Sequence, residues 1–170
     1  MSTLASRLVG SARFDIRSYE EVEADRHANT QAVGIVLLSS LAAAAGTGIR
    51  DAWSTAALLL FVIASWILWV LLTLFIGTRL LPKRETRADF GQILRTTGFS
   101  STPGILRIFG LVPGIGWLIF LGSTVWMLFT FVVAIRQALD FESTGRALAV
   151  SLLGWIIHGI LFLGFVGIAF

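Results

Sequence analysis

Few side chains in this sequence are of types that could do chemistry, and they fall into three groups. His158 stands alone in a long apolar stretch, about twelve residues in from Ala147. An ionisable group at that depth is either a proton relay or ligand, or a neutral imidazole bonded to a neighbouring helix. The structural role is the simpler of the two. The second group is Ser100, Ser101, Thr102, Pro103 and Gly104, flanked by Arg95 and Arg107. The half-helix start at Thr102–Gly104, within an apolar stretch, could hold an anionic group. The third group consists of Glu20, Glu21, Glu23, Asp89, Asp140 and Glu142 with Arg84, Arg87, Arg136 and Arg146. Carboxylates on one face could bind a cation, but with four arginines beside them an ion-pair ring tying loops together is the expected arrangement. His27 precedes the first apolar run and reads as a surface residue.

Catalytic signatures are missing. The chain contains no HExxH, no GxSxG and no glycine-rich phosphate loop followed by lysine. The apolar runs hold no acidic residue, and no nucleophile–base pair stands out. There is no cysteine, which excludes a disulfide framework and a Cys-ligated metal. No metal or cofactor is expected, and the chain reads as a non-enzyme.

The elements that must position these residues follow from composition. Of 170 residues, 56% are apolar and 14% charged, whereas a soluble domain carries roughly a quarter charged residues. A mean hydropathy of +0.85 points to one polytopic membrane domain rather than a soluble or disordered chain. The net charge is only +3 despite a pI near 10.6. The arginines are scattered rather than gathered on one basic face, so no nucleic-acid partner is expected.

Five apolar segments are predicted, giving an all-α polytopic bundle with a domain over 31–170 and a cytoplasmic amphipathic segment over 1–30. In the latter, Leu4, Leu8, Ala12, Ile16, Tyr19 and Val22 mark one face of a helix. Arg7, Arg13 and Arg17 lie beside this stripe, so the helix rests either on an anionic membrane surface or on the protein's own spans. The first span is Ala32–Ile49, too far behind an acid-containing leader to be a cleavable signal. The second is Ala52–Leu81, with Trp53 at its interface, Trp66 and Trp69 packed inward, and Pro82 closing it. The third, Phe90–Gly110, reads as two half-helices, Gly98 ending one and Thr102 capping the next with Pro103 behind it. The fourth runs from Pro113 to about Arg136, and the fifth from Ala147 to Phe170 after a polar turn in which Ser143 or Thr144 caps the helix. No soluble tail is expected after it. Small residues at Ser40, Ala44 and Gly48, and at Gly110 and Gly114, suit close helix packing.

Charge sets the orientation. With five spans and the N-terminus in the cytoplasm, eleven of the 13 Lys and Arg residues are cytoplasmic, leaving Arg50 and Arg107 outside. A re-entrant third segment would give ten against three. Five spans fit better and put the C-terminus on the opposite side of the membrane.

Three stretches resemble a known family. FGQILRTTGFSSTPGILRIFGLVPGIGWLI (90–119), VVAIRQALDFESTGRALAVSLLGWII (132–157) and YEEVEADRHANTQAVGIVLLSSLA (19–42) are similar to the Yip domain, the Ypt/Rab-interacting membrane proteins. The most specific element is the break Gly98–Pro103 followed by Leu111–Gly116. The resemblance implies a five-helix membrane domain with a cytoplasmic N-terminus. Eukaryotic members are associated with Rab GTPases and vesicle transport. This chain lacks their long cytosolic extension and looks like the compact prokaryotic form, for which no Rab GTPase is implied. The expected role is a non-catalytic membrane scaffold or adaptor, binding membrane lipids, other membrane proteins or further copies of itself. The alternatives are a small transporter or channel using the break and His158, and an accessory subunit of a larger membrane complex.

Overall fold

The computed structural model describes residues 3–48, 51–80 and 88–169, and every regular element in them is helical. Two short helices, α1 (Leu4–Ala12) and α2 (Ile16–Ala24), precede five longer elements. These are α3 (Ala28–Thr47), α4 (Ala52–Phe75, continued by a π-helical turn Ile76–Leu80), a third segment in two parts, α6 (Gly116–Ala138) and α7 (Thr144–Ala169). The third segment consists of α5 (Phe90–Ser100) and a 3₁₀ helix (Thr102–Leu111). Three of the described helices, over 28–46, 55–80 and 116–138, are long and apolar enough to cross a membrane.

The N-terminal stripe does not form one helix. Phe14 adopts a left-handed backbone conformation (φ 63°) and Asp15 then caps α2, its carboxylate accepting from Arg17 N–H at 3.3 Å. A capping aspartate placed mid-stripe starts a new helix where periodicity alone would continue the old one. The hairpin packs on the bundle instead of lying free. The Tyr19 hydroxyl sits within bonding reach of the Ser11 and Thr130 carbonyls, and Trp126 Nε1 donates to the Ala12 carbonyl at 2.8 Å.

The five long elements alternate in direction, as side-chain registers show. The third segment runs parallel to α3: Gly98 lies against Ala32, Gly104 against Ser39 and Gly110 against Gly46. It runs antiparallel to α6. Gly110 meets Gly116, Arg107 bonds Thr124, Gly104 meets Met127, and the Thr130 hydroxyl donates to the Ser100 carbonyl. Trp66 on α4 donates to Thr97, and Gly77 in the π turn abuts Leu139 at the end of α6. The third segment is therefore clasped between α3, α4 and α6.

Two apolar clusters hold the end of the bundle where α2 docks. One gathers Val70, Ile76, Ile93, Ile135, Leu139 and Val150, and the other Val22, Ala32, Ile35 and Phe99. Trp69 packs edge-on to Phe131, with ring centroids 5.3 Å apart, so Trp66 and Trp69 face inward as expected. The outer surface is also apolar: Trp53 (84% exposed), Leu60, Phe75, Phe109, Trp117 and Phe129 all point outward. Such a continuous apolar exterior suits lipid and not water.

Candidate functional site

The break in the third segment falls at Ser101, and its hydroxyls are spent locally. Ser100 donates to the Thr97 carbonyl at 2.7 Å, and Thr102 donates to the Phe99 carbonyl at 2.6 Å. Thr130 reaches across from α6 to the Ser100 carbonyl at 2.7 Å. These bonds satisfy carbonyls that a helix end would leave without partners. Thr102 is therefore not the cap of the second half. Ser101 holds that position without a side-chain capping bond, and the Thr102 hydroxyl is turned back toward α5. Pro103 and Gly104 are buried, so this helix start is packed against α3.

Gly98 does not end α5 either. The helix continues through Ser100, and a Cβ at position 98 would come within 2.6 Å of the Ala32 side chain. Its smallness serves close approach of two helices and not termination. The second half is 3₁₀ over ten residues, an unusual length for that geometry. Three residues per turn align Gly104, Arg107 and Gly110 in one row, and this row lies on α3.

Arg95 is 5% exposed and faces α2. Its Nε donates to the Val22 carbonyl at 3.2 Å, Nη2 donates to the Glu23 carbonyl, and Nη1 donates to Asn29 Oδ1 at 3.1 Å. A guanidinium thus closes the C-terminus of α2, where carbonyls lack partners and a positive charge is favoured. The segment begins with a reciprocal cap: the Asp89 carboxylate accepts from Gln92 N–H at 2.8 Å, and Gln92 Oε1 accepts from Asp89 N–H at 2.7 Å. The Gln92 amide then donates to the Glu23 carboxylate at 3.1 Å.

Part of the expected charge cluster comes together around Glu23. Burial pushes its carboxyl up to about 7, the nearby charges of Asp140, Glu20 and Asp89 add to this, and Arg95 opposes it. Arg136 has another role from the one expected. It donates to the carbonyls of Phe141 and Glu142, both at 3.2 Å, and holds the turn between α6 and α7. Arg146 lies over the Phe141 ring at 5.7 Å. Arg84 and Arg87 lie outside the described residues. Among the described residues no group of three or more His, Asp or Glu is disposed to hold a metal ion.

Arg7 departs from the expected membrane-facing role. Its side chain is 6% exposed and bridges Asp25 at 2.8 Å and Glu21 at 3.2 Å, with Gln31 Oε1 at 3.2 Å. Burial works against the charge, but the two carboxylates outweigh it and hold the guanidinium protonated. Arg7 in turn keeps Asp25 below the usual carboxylate range, helped by the His27 backbone N–H. The arginine sits on α1 but its partners lie on and after α2, so the hairpin fold turns it inward. Arg13 and Arg17 are exposed, beside the exposed apolar side chains of Val9, Phe14 and Ile16. His158 falls within α7, and its side chain lies outside what the structure describes.

Sequence reasoning missed the partners of Arg95 and the bonding of Tyr19 and Trp126. The one available signal was the arginine itself, since a charge in an apolar segment must have a fixed acceptor. Comparison with curated proteins and with solved structures gives no match. The Yip1 domain matches residues 17–166, from the start of α2 into the last helix, and so takes in the break, the α3 contact row and the Arg95 cap. With most of its length matched and several apolar helices of spanning length, the chain belongs to the Yip1 domain family of membrane proteins.

Proposed function

We propose that this protein is a non-catalytic membrane scaffold with five spans, an N-terminus in the cytoplasm and a C-terminus on the opposite side. It binds lipid and other membrane proteins through its outer faces. The observation that carries this reading is the division of polar and apolar groups. The polar groups at the break and at Arg95 are consumed by internal bonds, while the faces turned outward from α4, the 3₁₀ helix and α6 are apolar.

The register of the third segment supports the five-span count. Gly98 is level with Ala32 near the start of α3, and Gly110 with Gly46 near its end. A segment that keeps pace with α3 over this length crosses whatever α3 crosses. The exposed Arg13 and Arg17, with Phe14 and Ile16, form the surface that meets anionic lipid at the cytoplasmic side.

Pull-down in mild detergent, with full-length protein beside a chain lacking residues 1–18, tests the reading. The full chain is expected to retain specific membrane proteins or anionic lipid, and the shortened one to retain less. Unchanged retention by the shortened chain would remove the N-terminal part, and retention of nothing by either would remove the scaffold. Flux across reconstituted vesicles would instead favour a transporter.

A further inference from the structure

The cavity between α4, the break and α6 has a volume of about 280 Å³ and is walled by Phe61, Trp69, Leu128 and Phe131, with Thr97, Ser101 and Arg107 on its polar side. Arg107, which is half-buried, differs from the buried cations Arg7 and Arg95. Arg7 has two carboxylates and Arg95 three oxygen acceptors. Among the described residues Arg107 makes one hydrogen bond, from Nη2 to the Thr124 hydroxyl at 2.9 Å, and lies over the Phe120 ring at 5.1 Å. Its Nε is enclosed and has no acceptor, and no ion pair to it is found among the described residues. A half-buried cation near the outer end of the third segment, held against one hydroxyl and one ring, is under-compensated, because an enclosed donor without an acceptor is costly.

We propose that this cavity binds an acidic phospholipid, with the phosphodiester on Arg107 and an acyl chain along the aromatic and aliphatic wall. This deepens the lipid-binding half of the scaffold reading and rests on it. Three features select the occupant. Phe61 and Leu128 are also on the outer surface (43% and 36% exposed), so the cavity opens sideways toward the bilayer. The wall is mostly apolar, which a free anion does not need and an acyl chain does. An unpaired guanidinium calls for a phosphate, which it can hold through two parallel N–H bonds. A zwitterionic headgroup would add a second cation to a site lacking a carboxylate, whereas a glycerol headgroup adds only hydroxyls to a wall that already carries them.

The test uses the full chain, stripped of lipid in mild detergent and titrated with phosphatidylglycerol, phosphatidylcholine or inorganic phosphate. Binding is read by tryptophan fluorescence, since Trp66 and Trp69 line the cavity, and by native mass spectrometry. Phosphatidylglycerol is expected to saturate one site and to bind at least ~10-fold more tightly than phosphatidylcholine, and Arg107→Gln to remove that preference. Leu128→Trp, which fills the apolar wall and keeps the arginine, is expected to lose the lipid as well. If Arg107→Gln does not fold, as judged by helical circular dichroism and monodispersity, the Leu128→Trp result decides alone. Equal affinity for phosphatidylglycerol in parent and variants overturns the proposal. Full competition by inorganic phosphate overturns it too, because the site would then be one for a soluble anion. Partner capture is measured on the same preparations. Loss of lipid preference in the parent with capture intact sinks only this site, and loss of capture with lipid preference intact sinks only the protein-binding half of the scaffold.

Discussion

Glu23 and Arg95 meet at the end of α2, where one buried charge is placed well and the other poorly. The guanidinium of Arg95 has three oxygen acceptors, two of them carbonyls at the end of α2. The carboxyl of Glu23 has the Gln92 amide, but it is half-buried and feels Asp140, Glu20 and Asp89. Its pKa in the fold, about 7, lies above the roughly 4.3 of a free glutamate. The folded chain therefore holds this proton more tightly than the unfolded chain. The stability Glu23 contributes is fully present below about pH 4.3 and is lost as pH rises through about 7. Thermal unfolding in detergent from pH 5 to 8 is expected to show this decline. Glu23→Gln should flatten it and raise stability at pH 8 by about 1–2 kcal/mol once solvent screening is allowed for. A variant that follows the parent at every pH would show that Glu23 does not cause the decline.

Among the elements, the contact between α3 and the third segment is the most demanding. Six residues of 3₁₀ helix rise about 12 Å, and seven residues of α-helix rise about 10.5 Å. The row Gly104–Gly110 can therefore follow Ser39–Gly46 almost in step. An α-helical second half would turn Gly104 and Gly110 to different faces. The 3₁₀ winding also places Ile108, Phe109 and Leu111 outward at about half exposure. Side chains do not fit in the row, because a Cβ on Gly46 would overlap the Arg107 carbonyl. Gly46→Val is expected to cost about 1–3 kcal/mol, or to prevent folding, by forcing the two backbones apart. Gly122 lies on α6 with nothing within 4 Å of an added Cβ, so Gly122→Ala should be neutral or stabilising by about 0.5–1 kcal/mol. Thermal stability of the two purified variants checks the pair. Equal effects would disprove the close contact. The sequence marks these glycines but not their use: Gly98, Gly104 and Gly110 recur every six residues, a spacing that suits neither a regular α-helix nor a turn signal.

On the scale of the whole molecule, the five long elements alternate in direction, and the charged residues around Glu23, Asp89, Arg136 and Asp140 gather at one end. If all five cross the membrane, the loops at 112–115 and 141–143 lie on opposite sides. The absence of cysteine makes this easy to test with single replacements at exposed positions. Val112→Cys is expected to react with a membrane-impermeant maleimide in intact cells. Ser6→Cys and Ser143→Cys should react only after permeabilisation. Labelling of Ser143→Cys from outside, with Val112→Cys protected, would support four spans and a re-entrant third segment. The hairpin at the N-terminus is the other global feature. The family match begins at Arg17, so α1 lies outside it, yet α1 is joined to the matched part by the Arg7 bridges to Glu21 and Asp25.

The sequence by itself determined the membrane character, the long apolar helical runs, the place of the break near Ser101 and the family. Each of these rests on local composition or on motifs contiguous along the chain, and the tertiary fold has little power to override them. Only the tertiary structure decided what the polar residues do. Arg95 and its Val22 acceptor are 73 residues apart, and Thr130 and Ser100 are 30 apart. No periodicity records such pairings. The choice of 3₁₀ over α winding was likewise settled by the surface of α3, since local propensity hardly separates the two. Arg7 shows the same principle at the smallest scale. Its spacing placed it on an exposed helix face, and one capping aspartate, Asp15, turned the chain and made it an interior cation.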